Sequence, residues 1–161
     1  MRFWSLPWFL PLFWVSLASL AACGDKSAVS LTVTLQEPAV SATNHTLGTE
    51  LGGGFVLEFD LGPEASGPTT VTPGNFALQT ASGSVLVDPL PADPSGSSFP
   101  LVVAKGSTQK MTFVISSDEL LDPATRDALC AGPVVIVGSV MDSLSGGTDS
   151  VRSNPITPSC S

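Results

Sequence analysis

From Val29 onward the chain alternates between apolar and polar positions, the period of a half-buried strand. Val29, Leu31, Val33 and Leu35 fall on one face, with Ser30, Thr32 and Thr34 between them. Phe55, Leu57, Phe59 and Leu61 alternate with Val56, Glu58 and Asp60. Phe76 and Leu78 predict another strand, and Val85 and Val87 resume after the turn residues Ala81-Ser82-Gly83-Ser84. Phe99, Leu101 and Val103 form a short run, and Met111, Phe113 and Ile115 alternate with Thr112 and Val114. Val134 to Val137 is continuously apolar, which predicts a strand buried on both faces. A last strand near 149–156 is expected to pair with it through Ser145-Gly146-Gly147.

One segment breaks the period. Asp122 is suited to cap a helix, Pro123 to its first turn and Ala124 to Cys130 to its body, with Gly132 placed to end it. Seven or eight short strands with one crossover helix over 29–161 predict an antiparallel β-sandwich of immunoglobulin type. No Trp follows residue 23 to pack on a cysteine pair, so a true antibody-type domain is not expected.

Composition narrows function. The formal net charge is −8, and only six Lys and Arg are spread over 161 residues. Nucleic-acid binders cluster such residues, so no nucleic-acid partner is expected. All three Trp and three of the eight Phe precede Cys23; the rest of the chain has five Phe, no Trp and no Tyr. Those Phe fall mostly on inward positions, which leaves no aromatic face for stacking a sugar.

The N-terminal segment is different in kind. It has one basic residue, Arg2, an apolar run from Phe3 to Val15 and a small-residue tract from Ser16 to Ala22. That is the layout of a secretory signal. The stretch nearly reaches the ~20 residues that span a bilayer. Pro7 and Pro11 would interrupt a helix, and no basic cluster follows to stop transfer.

Leu20-Ala21-Ala22-Cys23 resembles the lipobox of bacterial lipoproteins. The resemblance implies cleavage before Cys23, a thioether from its sulfur to diacylglycerol and acylation of the new amino terminus. Residues 1–22 are then a lipoprotein signal peptide and 23–28 a lipidated tether. One acyl chain anchors only marginally, each buried CH₂ contributing about 0.8 kcal/mol, whereas three anchor durably. Gly24, where the enteric sorting rule places Asp for inner-membrane retention, implies the outer membrane. An ordinary cleaved signal that leaves Cys23 a free or paired thiol, and a retained membrane anchor, are the other readings.

With Cys23 lipidated, Cys130 and Cys160 remain. An even remainder in an exported chain suggests one disulfide, with two free thiols as the alternative. Two Cys without a nearby His fall short of a zinc set.

The segments "NFALQTASGSVL" (75–86) and "VVAKGSTQKMTFVIS" (102–116) resemble, in that order, the strand pairs of telokin-like, immunoglobulin-fold accessory domains of bacterial lipoproteins. The resemblance implies a binding or scaffolding module without a catalytic motif.

Candidate chemistry is sparse. His45, the only histidine, lies in the polar segment 41–49, expected to be a loop. Alone it cannot complete a blue-copper set. No G-x-S-x-G is present, and no nucleophile–base pair is visible. Glu58 and Asp60 share a strand face; paired carboxylates serve glycosidases or bind Ca²⁺, and a solvated face is the plainer reading. Asp88, Asp93, Asp142 and Asp149 are expected in turns, without the spacing of a calcium loop. Gly52-Gly53-Gly54 precedes a strand rather than a helix, so it is no phosphate cradle. The expectation is a non-catalytic, lipid-anchored envelope module for a protein partner, with no cofactor and no metal site. A small-ligand or Ca²⁺-binding sandwich is the alternative.

Overall fold

The computed structural model describes residues 30–161 apart from Ser97. Ten strands and one helix follow in chain order: β1 (Leu31–His45), β2 (Gly48–Leu61), β3 (Thr69–Thr80), β4 (Val85–Val87), β5 (Ala92–Ser95), β6 (Leu101–Val103), β7 (Ser107–Ser116), α1 (Pro123–Cys130), β8 (Val134–Asp142), β9 (Thr148–Arg152) and β10 (Ser159–Cys160). One sheet has the order β10-β1-β2-β7-β5; the other is β4-β3-β8-β9, with β6 also pairing β3. The two sheets form an all-β sandwich. The succession β1-β2-β7-β5 against β4-β3-β8-β9 is the A-B-E-D against C′-C-F-G order of immunoglobulin-type sandwiches.

The alternation seen in the sequence sets the core. Phe55, Leu57, Phe59 and Leu61 of β2 and Met111, Phe113 and Ile115 of β7 are all buried, and so are Phe76 and Leu78 of β3 and Ile136 and Val140 of β8. Phe55 and Phe113 stack across β2 and β7 with ring centroids 4.9 Å apart. Phe76, from the other sheet, meets both edge-on at 4.9 and 5.4 Å. Phe99 stacks on Phe113 at 5.9 Å. This aromatic cluster joins the two sheets. Gly138 makes room for it, since a Cβ there would collide with the Phe76 ring.

The hairpin of β1 and β2 is longer than the alternation implied. The expected loop at 41–49 is strand on both sides of the two-residue turn Thr46-Leu47. Pro38 hides this in the sequence, because proline cannot donate to a ladder. The chain absorbs it in a bulge between Gln36 and Ala39, with Glu37 at φ 49°. Gly53 faces the bulge at φ 139°, and a Cβ there would collide with the Ala39 carbonyl oxygen. Gly52-Gly53-Gly54 is therefore inside β2, not ahead of it.

Helix α1 starts as expected. The Asp122 carboxylate accepts from the amides of Ala124 and Thr125, each at 3.0 Å, and Pro123 opens the first turn. Hydrogen bonding by Thr125 holds this carboxyl below its usual range. The helix does not end in a left-handed glycine. Ala131 caps it in the right-handed region, and Pro133 follows, which disfavours further helix.

Strand directions define two ends. Residue 30 enters at the near end, with the connections 62–68, 104–106 and 143–147. The far end holds the Thr46-Leu47 turn, the 81–84 turn, the 117–122 segment, α1 and the C-terminus. There Cys130 and Cys160 are joined in a disulfide, with Cα atoms 6.1 Å apart. Among the described residues no helix is long and apolar enough to cross a membrane.

Candidate functional site

Cys23, the four-residue motif that ends in it and the whole of 1–28 lie outside the described residues. The sequence-predicted residues that are described do not converge on one site. His45 ends β1, where its Nε2 lies 3.2 Å from the Glu50 carboxylate across the hairpin; both side chains are about half exposed. Glu58 and Asp60 do share the outer face of β2, opposite the buried Phe55, Leu57 and Phe59. They do not act as a free pair. Glu58 Oε2 pairs with Lys110 Nζ at 2.7 Å, and Lys110 also donates to the Gln36 side chain at 3.2 Å. The hydrogen bond from Lys110 holds the Glu58 carboxyl below its ordinary value, and the same bond holds the Lys110 ammonium above its own. Asp60 accepts from Thr108 at 2.9 Å. The two carboxylates belong to a cross-strand polar ladder on a solvated sheet face.

The acidic residues expected in turns separate into different roles. Asp93 lies in β5 and Asp149 in β9, so neither is in a turn. Asp88 sits beyond β4, beside Pro89. Asp142 is buried at the end of β8, where it organises the near-end connection. Its carboxylate accepts from the Thr69 hydroxyl, from the Leu144 amide at 2.7 Å and from the Ser145 amide. Burial pushes its pKa up, but the hydrogen bonds from Ser145, Thr69 and the Leu144 amide outweigh burial and hold it below the usual range. Period-2 alternation could not reveal this, because Asp142 reads as a turn residue closing an apolar strand.

A depressed folded-state pKa contributes stability above the unfolded carboxyl's value, and that contribution is lost as pH falls through the folded value. Asp142→Asn is expected to lower stability at neutral pH by about 2 kcal/mol, the scale of hydrogen bonds to a buried charge. It is also expected to flatten the loss of stability toward acid. Urea unfolding of both chains between neutral and acid pH checks this, and parallel pH profiles would contradict it.

Among the described residues no three His, Cys, Asp or Glu side chains are grouped to hold a metal ion. Four of the five Phe after Cys23 are buried, and Phe99 packs against the core. The exposed large apolar side chains include Leu47, 88% exposed in the β1–β2 turn, and Leu120, 47% exposed in the segment before α1. Both stand at the far end: a Cβ on Gly48 would lie 2.8 Å from Leu120 Cδ1. A cleft of about 540 Å³ opens beside Leu120, between the Leu86–Pro91 stretch and the 117–122 segment.

Fold and disulfide define a class, an immunoglobulin-type β-sandwich stapled at one end. No protein family, no curated protein and no solved structure matches the chain.

Proposed function

We propose that this is a non-catalytic, lipid-anchored protein of a bacterial envelope that binds or scaffolds a protein partner with the far end of its sandwich. Cys23 carries the lipid, and Gly24 favours the outer membrane. The observation that carries the reading is the place of Leu47, 88% exposed, at the end of the sandwich opposite the start of β1. The lipobox-like motif precedes the near end of β1, whereas exposed Leu47 and Leu120 stand at the other end. The 15 residues of β1 separate the two ends by about 45 Å at the rise of an extended strand. A lipid at Cys23 therefore holds the near end toward the membrane and leaves the far-end loops facing outward. Loops on a rigid scaffold are the usual place for recognition. The resemblance of 75–86 and 102–116 to lipoprotein accessory domains supports the same reading.

A photo-crosslinking residue placed at Leu47 or Leu120 of the full chain, in living cells, tests it. Discrete protein adducts are expected at these two positions and none at Lys105 of the near end. Equal crosslinking at all three positions, or none at the far end, contradicts the reading.

A further inference from the structure

The outer face of β3, β8 and β9 carries an open groove of about 610 Å³. Strand register explains its shape. Ala77, Val137 and Arg152 lie side by side across the three strands. Phe76 and Leu78 turn to the core, so Asn75, Ala77 and Gln79 face outward. Val137 of the central strand β8, with the small Ala77 beside it on β3, forms the floor between two polar sides. One side carries Asn75, Gln79 and Asp88; the other carries Ser150 and Arg152.

Among the described residues, none of these five polar side chains forms a hydrogen bond or ion pair with another residue. Asp88 and Arg152 line the same groove and yet do not pair with each other. The groove thus presents one guanidinium, one carboxylate and two carboxamides, all with bonding capacity to spare. One guanidinium is too little for a polyanion, which the net charge of −8 also repels. Phe76, the aromatic residue at the groove, has its ring in the core and offers no stacking surface.

We propose that this groove binds a short peptide by its free termini. The terminal carboxylate meets Arg152 and the terminal ammonium meets Asp88. Asn75 and Gln79 take the peptide N–H and C=O groups between them. A zwitterion carries no net charge, so the acidic surface does not repel it. Leu47 and Leu120 do not line this groove, and its test depends neither on them nor on the lipid.

Trialanine titrated into the detergent-solubilised full chain, followed by amide chemical shifts, tests the proposal. Saturable shifts are expected at 75–79, 137–138 and 150–152. N-acetylation or C-amidation of the peptide is each expected to weaken binding roughly tenfold, the scale of one charge-assisted hydrogen bond. Arg152→Gln is expected to weaken the free acid by a similar factor and leave the C-amidated peptide unaffected, with the melting midpoint unchanged. The absence of saturable shifts, shifts away from the groove, or equal binding of all three peptides would overturn the proposal. The peptide series on the unmutated chain keeps the test intact should Arg152→Gln disturb the fold.

Discussion

Phe113→Ala is expected to lower the unfolding free energy by about 3–5 kcal/mol, the range for emptying a buried aromatic site. Phe113 is 2% exposed and touches Phe55, Phe76 and Phe99, so its ring contacts both sheets. Its removal opens a cavity at the centre of the sandwich that neither sheet can close without shifting its strands. Domains of this size are stable by roughly 5–15 kcal/mol, so the loss is a large fraction of the whole. Val114→Ala is the control. Val114 is the next residue on β7, 44% exposed on the outer face, and its truncation is expected to stay within about 0.5 kcal/mol. Urea unfolding of the two variants checks the pair, and similar losses would contradict the assignment of Phe113 to the core.

Replacing both Cys130 and Cys160 with Ala is expected to cost about 3–4 kcal/mol in the chain-entropy account of a closed loop. The bond spans 30 residues, and β8 and β9 lie within the loop it closes. Its local effect is sharper still. β10 is only two residues long and pairs with β1 through Ser41 and Ala42. The Asn44 amide donates to the Ser161 carbonyl, and the Ser161 amide to the Ala42 carbonyl. Without the disulfide, those few bonds and the Val134–Ile156 bridge just upstream hold the C-terminal strand. Hydrogen exchange at the amides of Asn44 and Ser161 is expected to speed up more than at the core of β2. A stability change under about 1 kcal/mol, well below the loop-closure range, or unchanged exchange at the C-terminus, would contradict this role.

The core was legible because period-2 alternation maps directly onto the two faces of a sheet. Phe55, Leu57, Phe59, Met111, Phe113 and Ile115 read inward from sequence and are inward in the structure. The continuous apolar run is buried too, at Val134, Val135 and Ile136. Asp122 and Pro123 marked the helix start because capping chemistry is local. Features that depend on distant partners were not legible. The bulge at Gln36 and Ala39 concealed the second half of β1, since Pro38 signals a stop unless Gly53 opposite makes room. β5 and β10 lack alternation and exist through pairing with β7 and β1. The polar groove on β3, β8 and β9 carries no motif, because strand register assembles it from residues far apart in the chain.

The proposed lipid on Cys23 and the far-end disulfide between Cys130 and Cys160 together specify a covalent composition. The intact mass of the protein extracted from membranes, with and without reduction and alkylation, tests it most directly. Loss of residues 1–22, added lipid on Cys23, and two cysteines that alkylate only after reduction are the expected result. A full-length or unlipidated chain, or cysteines that alkylate without reduction, would contradict it.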